Sequence, residues 1–301
     1  MRAFVALLVL AGCTADSALS TDDHAIIGGT RSMGNAATIM IVGYPPDRSV
    51  IHTCTAVLIS PTVALTAAHC IDSPTHPNYA YGAFPGDDAS PYPFLVDLEP
   101  HLLPINAVHP HPQYDDQLPF FADIGVVILE NALPVAPLPI RREPFDQSLV
   151  GLPALIIGYG QTTYMVNNST RYEAMTKVSG IENDTIIVGD TVQRSCLGDS
   201  GGPAIMNNVV VGIDSYGPTG CGGPAHYRRV DYFLPFIDQF VPPPMGSDAG
   251  PQPGSDAGID EGEAGGGCST TSSSSALLGL ALLGLRRRRP MDGESNSPAD
   301  R

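Results

Sequence analysis

Short apolar runs bounded by turn residues recur throughout residues 26–241. These strand-like runs are 38–42, 56–59, 126–129, 155–157, 185–188 and 209–213. Clusters of Gly, Pro, Asn and Asp separate them, and helical periodicity is confined to the neighbourhood of 231–240. Many short strands joined by turns predict an all-β sandwich or barrel that is followed by one terminal helix.

Composition narrows the class of protein further. Hydrophobic residues make up 43% of the 301 residues and charged residues 15%, which excludes a mostly disordered chain. Acidic residues outnumber basic ones by 31 to 15, so the net charge is −16. We expect no nucleic-acid partner, because binding to a phosphate backbone needs a basic surface.

The segment 198–203, Gly-Asp-Ser-Gly-Gly-Pro, is the strongest chemical signal. A serine hydroxyl becomes a nucleophile when a base accepts its proton and donors stabilise the oxyanion that follows. Glycines beside Ser200 let the backbone turn so that N–H groups can face a reacting carbonyl. His69, in Thr-Ala-Ala-His-Cys, and Asp123, just before an apolar run, are a candidate base and carboxylate.

With Ile-Ile-Gly-Gly at 26–29, these motifs run in the order His, Asp, Ser, and the chain resembles the trypsin-like (chymotrypsin-fold) serine proteases over nearly all of 26–241. The resemblance implies two six-stranded antiparallel β-barrels with a C-terminal helix, protein or peptide substrates and no cofactor. It implies that Ser200 is the nucleophile, that His69 is the general base and that Asp123 orients His69. The backbone N–H groups of Gly198 and Ser200 would form the oxyanion hole.

The resemblance also extends to the substrate pocket. The matching positions are Arg194, Ser215, Tyr216, Gly217 and Ala225. Arg194 stands six residues before Ser200, at the family's pocket base, where a positive charge cannot favour Lys or Arg at the cleavage site. Either the pocket prefers an acidic or polar residue, or Arg194 pairs with Asp190, Asp214 or a bound anion and leaves the pocket neutral.

The six cysteines are Cys13, Cys54, Cys70, Cys196, Cys221 and Cys268. None has the CxxC spacing of a zinc ribbon or a thioredoxin-like motif. The resemblance implies the disulfides Cys54–Cys70 and Cys196–Cys221. Cys13 and Cys268 are left outside these two pairs, and one lies in each terminal region. Histidines at 101, 109 and 111 lie close together in the sequence, but nothing at a recognisable ligand spacing completes a set, so we expect no metal site.

Activation by cleavage is implied by the Ile-Ile-Gly-Gly sequence. In the family, such a cut frees an α-amino group that pairs with the aspartate before the nucleophile. Here the cut would lie between Ala25 and Ile26, and the Ile26 ammonium would pair with Asp199. Residues 13–25 would then be a propeptide, and a separate activating protease or an unusual specificity is required to cleave after alanine.

The N-terminus predicts export. One basic residue and an apolar run of about nine residues are typical of a signal peptide over 1–12 and are too short to span a membrane. Leu-Ala-Gly-Cys at 10–13 resembles a bacterial lipobox, which implies lipidation of Cys13. The alternative is an ordinary signal peptide followed by an incidental cysteine.

The C-terminal region carries a second processing signal. Residues 242–267 are rich in Pro, Gly, Ser and Asp, with Gly-Ser-Asp-Ala-Gly repeated at 246–250 and 254–258, and predict a linker. The segment 268–289, with Cys268, an apolar stretch and four arginines, resembles C-terminal sorting tails of the MYXO-CTERM type. A plain membrane anchor is the alternative, and the polar tail 290–301 departs from the sorting pattern.

Two functions follow as hypotheses. The first is an exported endopeptidase, secreted or displayed at the cell surface or outer membrane, whose termini contact the membrane and the sorting or lipid-processing machinery before processing. The second is a catalytically silent homologue used as a surface binding or adhesion module. Silent homologues usually lack a triad residue, whereas this sequence has all three.

Overall fold

The computed structural model describes residues 26–49, 51–72, 78–117, 120–161 and 169–241. The predicted signal peptide, propeptide, linker, sorting segment and polar tail lie outside these residues. Within the described part, β-strands dominate, so the prediction of an all-β fold is confirmed. The α-helices there are two single turns, α1 (Leu95–Leu98) and α2 (Leu234–Ile237). Four three-residue 3₁₀ helices are Ala68–Cys70, Glu99–His101, Gln147–Leu149 and Thr219–Cys221.

Two closed antiparallel barrels account for nearly all the strands. A short strand, β1 (Thr30–Arg31), comes first. The first barrel consists of β2 (Thr38–Tyr44), β3 (His52–Leu58), β4 (Val63–Thr66), β5 (Ala80–Phe84), β6 (Leu103–Pro110) and β7 (Gly125–Leu129). Its strands follow one another around the barrel in the order β2-β3-β4-β7-β6-β5.

The second barrel is built in the same way from the C-terminal half of the described chain. Its strands are β8 (Pro153–Gly158), β9 (Tyr172–Ile181), β10 (Thr185–Val188), β11 (Pro203–Met206), β12 (Val209–Tyr216) and β13 (Ala225–Arg229). They run in the order β9-β10-β13-β12-β11-β8, and pairing of β8 with β9 closes the ring. Strand β1 pairs with the outer edge of β9.

Each of the six predicted runs overlaps a strand, but the other strands of the two barrels were not predicted. Strand β9 shows why. Ala174, Thr176 and Val178 are buried while Met175 and Lys177 are exposed, so the strand alternates, yet its inward positions hold small or polar side chains. The alternation of apolar and polar residues that predicts a strand is therefore weak in the sequence of β9. The terminal helix is also shorter than 231–240, since only α2 is α-helical.

The two barrels share a hydrophobic core. Val57 and Leu65 of the first barrel, Ile157 and Ile213 of the second, and Phe236 of α2 belong to one buried cluster. This cluster joins both barrels and the terminal helix. Close packing in it holds the two barrels in a fixed position relative to each other, and so defines the groove between them.

Both predicted disulfides are formed, Cys54–Cys70 and Cys196–Cys221. They close loops with sequence separations of 16 and 25 residues, and each stabilises the fold by about 3 kcal/mol in the chain-entropy model. No helix among the described residues is long and apolar enough to cross a membrane.

Candidate active site

Strand register brings His69 and Asp123 together. Thr66, at the end of β4, lies opposite Gly125, at the start of β7. His69 follows Thr66 in the 3₁₀ turn, and Asp123 comes just before Gly125. As a result, His69 Nδ1 lies 2.8 Å from Asp123 Oδ2, and the His69 backbone N–H donates to Asp123 Oδ1 at 2.9 Å.

Asp123 is fully buried, with 0% of its surface exposed. Burial alone would raise the pKa of its carboxyl, but the charge and hydrogen bonds of His69 and the Ser215 hydroxyl outweigh burial and lower it. The Ser215 hydroxyl donates to Asp123 Oδ2 at 2.6 Å. An ionised Asp123 favours a proton on His69 Nδ1, which leaves Nε2 as the basic nitrogen.

Ser200 lies on the turn before β11 and lines the same cavity as His69. The Thr55 backbone N–H, in the first barrel, donates to the Ser200 carbonyl at 2.8 Å. The Gly201 N–H donates to the Asp214 carbonyl at 2.8 Å, so the turn is held from both barrels. Among the described residues, no hydrogen bond joins the Ser200 hydroxyl to His69; such catalytic bonds often tighten only when substrate binds.

The turn that precedes Ser200 requires glycine. Gly198 has a φ of +94°, and a Cβ there would lie 2.9 Å from the Gly160 Cα. Within the described chain, the backbone N–H groups of Gly198 and Ser200 have no hydrogen-bond acceptor. The two predicted oxyanion-hole donors are therefore free to bind a ligand oxygen.

Asp199 is buried directly behind this turn. Its two carboxylate oxygens accept hydrogen bonds from the N–H groups of Gly160 and Cys196, each at 2.8 Å. Burial raises the pKa of Asp199 to about 7, although these bonds and one from the Ile26 backbone N–H lower it. Ile26 itself is only 1% exposed, so the start of the described chain is packed against the carboxyl beside Ser200.

A cavity of about 400 Å³ opens beside His69 and Ser200. Three predicted substrate residues line it, namely Ser215, Tyr216 and Gly217. Ala225 is buried behind Gly217, where a Cβ on Gly217 would lie 3.4 Å from that of Ala225. The two small residues leave this wall of the cavity open.

Arg194 does not line this cavity. Its Nε donates to the Cys221 carbonyl, and its Nη1 donates to the Thr191 carbonyl at 2.6 Å. Within the described chain, Arg194 forms no salt bridge with Asp190 or Asp214. Backbone carbonyls take up its donors outside the cavity. This differs from the place at the pocket base that the resemblance implied, and it leaves the cavity wall without the charge of Arg194, as the neutral alternative expects.

Several lining residues were not singled out as site residues from the sequence. These are Tyr114, Asp116, Phe120, Ser195, Leu197, Asp214 and Pro218, besides the two pocket cysteines. Asp214 was considered only as a partner for Arg194, although its place directly before Ser215 is the signal that could have identified it. Phe120 reaches the site from the loop before Asp123, where Arg228 donates to its carbonyl at 2.5 Å.

Candidate metal ligands are engaged in other contacts. The histidines at 101, 109 and 111 pack against separate aromatic rings, with centroids 4.0, 4.7 and 4.8 Å away. Within the described ranges, one group of side chains is close enough to share an ion, His52, Cys54 and Cys70. Its two cysteines form a disulfide and so offer no thiolate.

Comparison with known proteins agrees with this geometry. The trypsin family model matches residues 26–237. A trypsin of Phaedon cochleariae is 30% identical over 231 residues, covering 66% of this chain and 84% of that protein. Ovochymase of Halocynthia roretzi is 27% identical over 214 residues, or 62% of this chain, which spans only 13% of that larger protein.

Solved structures show the same fold. Neuropsin, described as a serine protease expressed in the limbic system of mouse brain, aligns with a TM-score of 0.56 and 22% identity, over 70% of this chain and 97% of that one. The barrels agree with that architecture, and the family model covers both of them. The chain therefore belongs to the trypsin family and is a serine-type endopeptidase, a hydrolase.

Proposed function

We propose that Ser200, His69 and Asp123 form the catalytic triad of an exported endopeptidase. The observation that carries this proposal is the buried Asp123–His69 pair, with a 2.8 Å contact, beside Ser200 in one cavity between the barrels. A buried carboxylate that orients a partly exposed imidazole beside a serine is the arrangement that activation of a serine hydroxyl requires.

In this mechanism His69 Nε2 takes the proton of the Ser200 hydroxyl as Oγ attacks the substrate carbonyl carbon. The oxyanion that forms accepts hydrogen bonds from the N–H groups of Gly198 and Ser200. His69 then protonates the leaving amine, and an acyl-enzyme ester remains on Ser200. A water molecule, deprotonated by His69, hydrolyses this ester and restores the serine.

The enzyme is made as a zymogen in this proposal. Hydrolysis of the Ala25–Ile26 bond would give Ile26 an α-ammonium group. The burial of Ile26 and its backbone hydrogen bond to Asp199 support this, because a cation at that atom would stabilise an otherwise unfavourable buried carboxylate. Cleavage would also remove residues 13–25, including any lipid on Cys13.

Specificity at the pocket base does not follow the trypsin pattern. The base position holds Arg194, so no carboxylate there can select Lys or Arg. With the guanidinium bound to backbone carbonyls, selectivity has to come from the residues that do line the cavity.

Export is the natural setting for this enzyme. Two disulfides are typical of an oxidising compartment outside the cytosol. The predicted signals around Cys13 and Cys268 would supply export, lipid processing and sorting, and they make the cell surface, outer membrane or medium the site of action. Intact mass and sequencing of both termini of the mature protein test these steps together. A mature chain that begins before Ile26 would contradict the activation site.

Labelling with a serine-directed fluorophosphonate tests the catalytic proposal. The mature protein and a Ser148→Ala control, which changes an exposed serine, should be labelled. Ser200→Ala should not be labelled. Failure to label mature wild-type protein would instead support a catalytically silent binding module.

A further inference from the structure

Arg228 is a cation buried in the second barrel, close to the candidate active site. It belongs to β13 and is only 2% exposed. Its Nη1 donates to Asp184 Oδ2 at 2.6 Å, in the turn between β9 and β10, and to the Thr185 hydroxyl at 3.0 Å. A buried charge is unfavourable unless it is paired, so the bond to Asp184 fixes one edge of the guanidinium within its own barrel.

The other edge of the guanidinium reaches the loop of the first barrel that carries Asp123. Arg228 Nη2 donates to the Phe120 carbonyl at 2.5 Å. The same carbonyl accepts the backbone N–H of Asp123 at 3.2 Å. One carbonyl oxygen therefore connects Arg228 to the main chain of the residue whose carboxylate contacts His69.

The backbone that accepts this bond is strained. Phe120 has a φ of +53° and Ala122 a φ of +54°, in the left-handed region that non-glycine residues rarely adopt. Both residues come immediately before Asp123. Strained conformations of this kind persist only where the surrounding contacts hold them. The bond from Arg228 is such a contact, and its loss would let the segment relax and carry Asp123 with it.

Aromatic contacts lead from the same guanidinium to the cavity. Arg228 Cζ lies 5.6 Å from the centroid of the Tyr216 ring, an attractive arrangement of a cation and an aromatic face. The Tyr216 ring is 5.7 Å from that of Phe120, and the Phe120 ring is 6.5 Å from that of His69. Tyr216, Phe120 and His69 line the cavity, whereas Arg228 lies outside its lining.

We infer that Arg228 is a positioning residue for catalysis, which acts through the Phe120 carbonyl to hold Asp123 where its carboxylate orients His69. The inference rests on the proposed function, and it adds to the triad a residue that lies outside both the triad and the cavity. A guanidinium suits this role because its planar set of donors can bind Asp184 on one side and the Phe120 carbonyl on the other at the same time.

Arg228→Met tests the inference on the mature enzyme, because methionine is a long, flexible side chain that donates no hydrogen bond. We expect kcat for a peptide substrate to fall by about 10- to 100-fold, since a displacement of about 1 Å at a catalytic group has an effect of up to this size. Fluorophosphonate labelling of Ser200 should slow by a similar factor, because it depends on the same activated hydroxyl. Wild-type rates in both assays would overturn the inference.

Asp184→Asn is the matched control. It breaks the same ion pair but leaves the bond from Arg228 to the Phe120 carbonyl in place. This variant should have a lower free energy of unfolding and still keep most of the wild-type kcat. If Asp184→Asn lost as much kcat as Arg228→Met, the effect would come from the stability of the fold alone, and the inference would be wrong.

The double variant Arg228→Met/Asp184→Asn guards against a protein that fails to fold. It removes both charges together and so leaves no unpaired carboxylate in the barrel. It should unfold cooperatively, as the wild type does, and still show the reduced kcat. A cooperatively folded double variant with the wild-type kcat would contradict the inference.

Proton NMR provides a readout of the Asp123–His69 contact itself. The proton of a short hydrogen bond between an imidazole and a carboxylate resonates far downfield, and its position depends on the geometry of that bond. The resonance of the His69 Nδ1 proton should move or disappear in the double variant and stay unchanged in Asp184→Asn. An unchanged resonance in the double variant would show that Arg228 does not position Asp123.

Labelling of the mature wild-type protein separates this inference from the proposed function. A wild-type protein that fluorophosphonate does not label refutes the catalytic proposal itself. A labelled wild type whose Arg228 variants are labelled equally fast refutes only the role of Arg228.

Discussion

The Ser215 hydroxyl donates a 2.6 Å hydrogen bond to Oδ2 of Asp123 and so connects the second barrel to the carboxylate of the first. The same oxygen atom lies 2.8 Å from His69 Nδ1. Asp123 Oδ2 thus makes two contacts, one that orients His69 and one with the Ser215 hydroxyl of the other barrel. The position of the candidate base depends on a residue that belongs to the substrate-lining strand.

Removal of this hydroxyl in Ser215→Ala should lower kcat by about tenfold. The reason is that a hydrogen bond to a charged group contributes about 1.5–3 kcal/mol, of which part is retained through His69. The Ser215 bond also helps to lower the pKa of Asp123, so its loss moves that pKa upward and weakens the enzyme as pH falls. Steady-state kinetics between about pH 5 and about pH 8 measure both effects.

Ser215→Thr restores a hydroxyl at the same position and is the matched control. It should recover part of the lost kcat and of the acid-side activity. An alanine variant with the wild-type kcat and pH profile would mean that His69 alone holds Asp123.

The contribution of Asp199 to the stability of the uncleaved chain should fall as pH rises from about 4 to about 7. The folded-state pKa of Asp199 is raised to about 7, whereas an unfolded aspartate has a pKa of about 3.9. Between these values the folded state binds more protons than the unfolded state, so its free energy of unfolding decreases with pH. The slope approaches about 1.4 kcal/mol per pH unit.

Urea unfolding of uncleaved Ser200→Ala, with and without Asp199→Asn, measures this slope. The protein that keeps Asp199 should show a decline steeper by about this amount than Asp199→Asn, because other buried carboxyls with a raised pKa, such as Asp214, contribute equally to both. After cleavage at Ile26, the new ammonium should remove this excess decline, because the charge pair stabilises the folded state up to the pKa of the amine. Parallel curves for the two uncleaved proteins would contradict the prediction.

Gly198→Ala should impair catalysis far more than its backbone strain alone would explain. An alanine at a φ of +94° is strained by about 1–2 kcal/mol, and its Cβ would also lie 2.9 Å from the Gly160 Cα. The turn has to move to relieve this contact, and the oxyanion donors move with it. We expect kcat to fall by about 100-fold or more, the effect of losing one such donor.

Gly151→Ala provides the comparison at equal strain. Gly151 has a φ of +87°, but a Cβ there would have no neighbour within 4 Å. This variant should lose about 1–2 kcal/mol of stability and keep its kcat. Denaturant unfolding and kinetics on both variants separate strain from displacement, and an unchanged kcat in Gly198→Ala would argue against this oxyanion hole.

Local motifs made the centre of the site predictable from the sequence. His69, Asp123 and Ser200 each lie within a few residues of a strand end, so short sequence patterns and their order identify them. The all-β fold was predictable because a short apolar run is also a local signal. The exceptions are strands whose inward-facing residues are small or polar, such as β9.

Contacts between distant segments could not be predicted in this way. The orientation of Arg194 depends on the Cys221 carbonyl, 27 residues further along the chain. The place of Asp214 in the cavity wall depends on how β12 pairs with the nucleophile turn through the Gly201 and Gly202 backbone. Hydrogen bonds between distant segments determine where these side chains point. Residue spacing and composition do not reveal such bonds.

The nucleophile turn is held by the Thr55 N–H of one barrel, while the imidazole it faces is held through Ser215 of the other. A chain in which only one barrel has folded therefore cannot assemble the proposed triad. Under the proposed triad and activation cut, division of these groups between two separately closed barrels means that cleavage before Ile26 can yield activity only in a chain in which both barrels have closed.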